Sequence, residues 1–163
     1  MDSAYLKTLA VVTILFFFGI IGCSKQKDYF PEVIKEQKLA KRMSGEEAKS
    51  FVDHLHTQKV AADKNEIGIY EGDRGKTTIY VSYYNSSQEA EEEGRKMTEK
   101  ISPENSVFVG GQNIDIDGKR VYRCFGMGQT HFVFAHKKQL IWISVNTVVA
   151  NEFLSEYLNY LNS

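Results

Sequence analysis

The alternation of apolar and polar positions predicts most of the strands. Thr77, Ile79, Val81 and Tyr83 alternate with Thr78, Tyr80, Ser82 and Tyr84, the period of two expected of a strand with one buried face. The preceding run Glu66–Glu71 is joined to it by Gly72-Asp73-Arg74-Gly75, which predicts a hairpin. Further on, Ser106–Val109 reads as a short strand before Gly110-Gly111. Ile114 and Ile116 then alternate with Asp115 and Asp117, and Asp117-Gly118 turns the chain into a strand over Lys119–Phe125. Gly126 and Gly128 punctuate. His131–His136 and Leu140–Val145 form a last hairpin around Lys137-Lys138-Gln139.

Three stretches change to the helical period. Ser44-Gly45-Glu46-Glu47 has the form of a capping box, in which a hydroxyl and a carboxylate satisfy free backbone donors; Ala48, Phe51, Val52 and Leu55 follow on one face. Ser86-Ser87-Gln88-Glu89 opens a second helix with the stripe Ala90, Gly94, Met97 and Ile101. A third begins near Asn146 or Thr147, with Ala150, Phe153, Leu154, Tyr157, Leu158 and Leu161 inside. The predicted order is α-β-β-α-β-β-β-β-α. Hairpin connections imply an α+β fold with a mostly antiparallel sheet and the helices packed on one face. The other face is then left open, and Tyr80, Tyr84 and Tyr122 are candidates to line it as a contact surface.

Composition narrows the class. With 163 residues the chain has room for one domain, and 42% hydrophobic against 25% charged residues excludes a disordered or low-complexity chain. A net charge of −1 argues against a dedicated nucleic-acid binder. Two cysteines cannot make a disulfide framework or a four-cysteine zinc site.

The first 24 residues carry a different message. Leu9–Gly22 is an uncharged apolar run preceded by Lys7. It is short for a membrane span, which takes about 20 residues, and suits the core of a signal peptide. It ends in Ile20-Ile21-Gly22-Cys23-Ser24. This resembles the lipobox of bacterial lipoproteins, although Leu is more usual than Ile20 and a smaller residue than Ile21. The resemblance implies cleavage before Cys23, transfer of a diacylglyceryl group to its thiol, modification of the cysteine with palmitate, and export. Ser24 rather than Asp implies the periplasmic side of the outer membrane if the source has two membranes. The domain boundaries follow as a signal peptide over 1–22, a lipidated tether over 23–43 and one α+β domain over 44–163. The tether has a basic excess that could lie along anionic headgroups.

Candidate chemistry is thin. His54 and His56 diverge on a helix, while His131 and His136 fall on opposite faces of a strand, so neither pair chelates. Asp115-x-Asp117-Gly118 lacks the later ligands of a calcium loop, and Gly126-x-Gly128 lacks the context of a dinucleotide fingerprint. Cys124 has no base partner in any signature and reads as a buried, inert thiol. No metal or cofactor is expected. The stretch 119–134 with Leu140–Ile143 resembles small uncharacterised bacterial lipoprotein domains, as do Leu55-His56 and the short strand that follows. That resemblance lowers the expectation of an enzyme. From Gly118 to Asn151 there is no acid, yet Lys119, Arg120, Arg123, Lys137 and Lys138 lie there. They predict a patch for an anionic partner, either lipid or an envelope protein. The expected role is non-catalytic binding or assembly from a membrane anchor. The alternative is an envelope enzyme or metal carrier using His131, His136 or Cys124.

Overall fold

The computed structural model describes residues 27–54, 62, 64–101 and 107–163, with the His54 side chain outside the description. Cys23, Leu55 and His56 lie outside the described residues.

The fold is α+β, built on one eight-stranded antiparallel sheet and three helices. In chain order the elements are β1 (Val33–Ile34), β2 (Gln37–Ser44), α1 (Gly45–His54), β3 (Lys64–Gly72) and β4 (Gly75–Tyr83), then α2 (Ser87–Glu99). β5 (Val109–Ile116), β6 (Lys119–Gly126), β7 (Gln129–His136) and β8 (Gln139–Asn146) follow, and a 3₁₀ turn over Thr147–Val149 leads into α3 (Ala150–Asn162). The strands lie in the order β1-β2-β3-β4-β8-β7-β6-β5. α2 carries the chain from the middle of the sheet to its far edge, and three hairpins bring it back to β4.

The predicted hairpins and helices stand where the patterns put them, but the short strand expected over Ser106–Val109 does not end at Gly110-Gly111: β5 begins at Val109 and runs through both glycines with a register shift, and Ser106 lies outside the described residues. Ser86 caps α2, its hydroxyl accepting from the Glu89 amide at 3.1 Å, while the Glu89 carboxylate accepts from the Asn85 amide at 3.0 Å. All six residues of the α3 stripe are buried. Asp117-Gly118 and Met127-Gly128 are turns with both residues at positive φ, the geometry that suits the right-handed twist of paired strands. Asp115 accepts from the Gly118 amide at 3.1 Å, so that motif closes a turn.

Two expectations are corrected. Of the stretch expected to be a tether, residues 23–43, the described part from Lys27 onward supplies two strands and part of the core. Tyr29, Phe30 and Ile34 are buried, and the element order gains β1 and β2 ahead of the first helix. The polar sequence here concealed a strand because its charges are paired across the domain. Arg42 binds Asp28 at 2.9 Å and Glu66 at 2.6 Å, Lys35 meets Glu152, and Lys41 meets Glu47.

The second correction concerns the layers: the helices cover both faces. α3 packs with Tyr29, Phe30 and Ile34 on the face formed by Tyr70, Ile79, Val81, Val121, Phe132, Phe134, Ile141, Ile143 and Val145. The alternate residues face α1 and α2. Met43, Ile67 and Ala48 form a small core beneath α1, with Val52, Ile69 and Tyr80 packed against it. Gly94 of α2 presses on Leu140, whose side chain a Cβ at that position would meet at 2.9 Å. The sheet is the middle of three layers.

The N-terminal segment is fastened by tyrosines. Tyr160 donates to the Asp28 carbonyl at 2.7 Å, Tyr157 to the Tyr29 carbonyl at 3.0 Å, and Tyr70 to the Pro31 carbonyl at 3.0 Å. The Phe30 ring fills the space above Gly68 in β3, where a Cβ would collide with it. Tyr157→Phe should therefore cost about 1–3 kcal/mol by stranding a buried carbonyl, and Phe30→Ala about 3–5 kcal/mol by leaving a cavity. Urea unfolding checks both. A fragment over 44–163, lacking β1, β2 and Phe30, should melt below the fragment over 27–163; equal midpoints would make the segment ornamental.

Candidate functional site

The sequence pointed to an aromatic face, a basic patch, and the trio His131, His136 and Cys124. The structure separates them.

The three tyrosines do not share an open surface. Tyr80 lies under α1, 6.3 Å from the Phe51 ring, and is partly buried. Tyr84 is half-buried beside the first turns of α2, where burial and the Glu93 and Glu89 carboxylates push its phenol above the usual range. Tyr122 lies over Gly111 at the sheet edge, its hydroxyl 3.5 Å from the Ile101 carbonyl. Each packs on the face that α1 and α2 cover. The expectation of a helix-free aromatic face fails because the sheet has no such face.

His131 is buried on the α2 side together with Cys124. Cys124 stands directly across from it in the β6–β7 register, and Ser144 across from it in β8. Its Nδ1 is 2.9 Å from the Ser144 hydroxyl, and its Nε2 is 3.0 Å from the Gly126 carbonyl. The Trp142 indole N–H donates toward both Ser144 at 3.1 Å and His131 Nδ1 at 3.2 Å. Phe108 closes the cluster, with its ring 4.8 Å from the imidazole. This network assigns the tautomer: Nε2–H donates to the carbonyl and Nδ1 accepts. Both ring nitrogens are engaged, and burial lowers the basicity of the imidazole against the weaker opposing pull of the Gly126 carbonyl. Ser144 and His131 have dyad spacing, but both are buried under α2 and Phe108. Burial also pushes the Cys124 thiol up to about 11, which keeps it protonated and poorly nucleophilic.

His136 is elsewhere, at the end of β7. Its basicity is lowered by burial first, then by Lys119, Lys137 and Lys27 around it. It therefore does not join His131 and Cys124 in one site. Among the described residues no group of three or more His, Cys, Asp or Glu side chains could hold a metal ion.

The basic residues divide. Lys119 and Arg120 leave the β5–β6 turn at the same end of the sheet as Lys137 and Lys138 of the β7–β8 turn. The β6–β7 register requires this, since Tyr122 pairs with Val133 in antiparallel strands. Arg120, Lys137 and Lys138 are exposed and Lys119 is half-buried. Arg123 is not part of this group. It sits mid-strand on the α3 side with its guanidinium 5.4 Å from the Phe125 ring centre and its Nε buried without a hydrogen-bond partner. Sequence reasoning missed a further member, Lys27. Its ammonium donates to the Tyr160 carbonyl and to Ser163 Oγ at the C-terminal end of α3, a favourable place for a cation. No local pattern in the sequence marks that contact, which spans most of the chain.

No family model matches the chain, and no curated protein matches it. A solved structure described as a GTP binding regulator from Thermotoga maritima resembles it with a TM-score of 0.54 over 80% of this chain and 82% of that one, at 15% sequence identity. A likeness at that identity is one of fold.

Two lowered histidines have a consequence for stability. Below about pH 6.5 the unfolded chain takes up protons at these positions before the folded one does. Stability present above that pH should be lost as pH falls toward the folded values. The urea midpoint should drop between pH 7 and pH 5, and replacing His131 and His136 together with Gln should flatten that drop. A slope unchanged in the double variant would contradict the assignment.

Proposed function

We propose that this chain is an exported bacterial lipoprotein, anchored through acylated Cys23, whose α+β domain binds or assembles at the envelope and catalyses nothing. The observation that carries the reading is Ile20-Ile21-Gly22-Cys23-Ser24, placed where an uncharged apolar run gives way to polar sequence. A multiply acylated cysteine is a stable anchor, since each buried CH₂ contributes roughly 0.8 kcal/mol. With Ser24 after the cysteine, the expected destination in a cell with two membranes is the periplasmic side of the outer membrane. The chemistry of the domain supports a binding role over the enzyme or metal-carrier alternative. His131 spends both nitrogens inside the fold, Cys124 is held as the thiol, and His136 lies at the end of the sheet.

The nucleotide of the Thermotoga maritima regulator is not carried over. A common phosphate cradle is a glycine-rich loop between a strand and a helix. The nearest sequence here, Gly72-Asp73-Arg74-Gly75-Lys76-Thr77, closes the β3–β4 hairpin.

Expressed in a bacterial host, the wild-type chain should yield a processed form whose N-terminal peptide carries added lipid mass. Cys23→Ser should accumulate as an uncleaved precursor without it. Mass spectrometry of the membrane fraction distinguishes these outcomes, and normal processing of the serine variant would sink the lipoprotein reading.

A further inference from the structure

We propose that the end of the sheet formed by the β5–β6 and β7–β8 turns is a docking face that lies on the membrane and binds anionic phospholipid headgroups. This rests on the Cys23 anchor and adds an orientation and a lipid class to it.

The covalent chain sets the orientation. Cys23 and Lys27 are four residues apart, and an extended chain covers at most about 3.6 Å per residue, so their separation is below about 15 Å. Lys27 is fixed at the C-terminal end of α3, where it meets Tyr160 and Ser163. Two residues on, the Tyr29 ring lies 6.3 Å from that of His136 and its hydroxyl donates to Gln139, the pair that flanks the Lys137-Lys138 turn. The entry point of the chain and the two basic turns are therefore one end of the molecule. The Asp73-Arg74 and Met127-Gly128 turns lie at the other, a strand length of roughly 25 Å away at about 3.4 Å per residue. However residues 24–26 run, an anchor at Cys23 holds the basic end nearer the bilayer.

The charge at that end suits what it would meet. Arg120, Lys137 and Lys138 are exposed, and none of them, nor Lys119, makes an ion pair among the described residues. Two acids share the β5–β6 turn: Asp115, which stands opposite Arg120 and accepts from the Gly118 amide, and Asp117, which accepts from Ser155 Oγ at 3.3 Å. Both keep their charge and offset that of Lys119 and Arg120, so the excess at this end comes from Lys137, Lys138 and Lys27. Glu66 is bound to Arg42 and Lys64. Glu91 also bears on Lys119. Within α2, Arg95 and Lys96 pair with Glu92, Glu93 and Glu99, so that part of the acidic face is turned inward on its own helix. Cations gathered without partners repel one another within the fold, and an anionic surface removes that penalty while adding attraction that salt weakens. An acidic protein face has the same charge, but the short covalent connection favours the lipid surface.

The test uses the full lipidated protein reconstituted into two kinds of vesicle: pure phosphatidylcholine, and equal parts of phosphatidylcholine and phosphatidylglycerol. Flotation with the neutral vesicles reports the anchor alone, and failure to float there would sink the anchor reading. Given flotation, amide hydrogen exchange is compared between the two lipids. We expect exchange in the Asp117-Gly118 and Lys137-Lys138 turns to slow on the order of tenfold on the anionic vesicles, with the Met127-Gly128 turn unchanged. High salt should reverse the effect. The variant carrying Lys119→Gln, Arg120→Gln, Lys137→Gln and Lys138→Gln should float but show no difference between lipids. Equal exchange of the wild-type protein on both vesicles, or slowing at the Met127-Gly128 end, would each overturn the docking face and leave the anchor standing.

Discussion

Three tyrosine hydroxyls hold the irregular segment Asp28–Pro31 against the sheet, and the arrangement of the molecule follows from that. A stretch of chain outside regular structure has carbonyls with no strand or helix partner, and where one is buried, as at Tyr29, the lack of a donor would cost free energy. Tyr160, Tyr157 and Tyr70 supply the donors from α3 and β3. With the backbone satisfied, Tyr29 and Phe30 can be buried, Phe30 over Gly68 and Tyr29 against Tyr83 and His136. Arg42, bridging Asp28 and Glu66 above the Phe30 ring, closes the outer side. The segment and α3 together form the layer that covers one face of the sheet.

The same constraint connects fold to function. Because Asp28 is already part of the domain, the connection to Cys23 is only a few residues long. A long tether would let an anchored domain tumble and sample partners at any angle. On the proposed anchor, a short one would restrict it to presenting one end to the lipid and the other to its surroundings. The basic turns occupy the first end. Val107, Val109, Met127 and Val148, all exposed, occupy the second. The polarity of the molecule along its strands is thus the feature that an anchor would use.

Much of the fold could be read from local patterns. Period-two alternation in β4, the Asp117-Gly118 turn and the six-residue stripe of α3 each state their structure without reference to the rest of the chain. What the patterns hid was long-range. β2 reads as polar linker because Arg42, Lys41 and Lys38 dominate it, and only pairing with β3 and with distant acids makes it a strand. The layer arrangement was legible in a signal read too narrowly. Phe132-Val133-Phe134 and Leu140-Ile141-Trp142-Ile143 are continuous apolar runs, and a strand with a solvated face would alternate. Those runs meant that both faces were covered, which leaves no open side for Tyr80, Tyr84 and Tyr122. The basic patch could be read as a gap in the acids between Gly118 and Asn151. Arg123 fell outside it through strand parity and depth, and Lys27 belongs near it through a contact with the far end of the chain.

The central claim is that the segment leading from Lys27 into β2 is a structural part of the domain. Native-state hydrogen exchange tests it most directly. The Leu39 amide, which donates to the Glu32 carbonyl at 2.9 Å across the β1–β2 hairpin, should exchange only through global unfolding. Its opening free energy should match that of Ile141 and Ile143 in the centre of the sheet. An opening free energy for Leu39 several kcal/mol below theirs would mean that the segment detaches while the sheet stays folded, and would contradict the account.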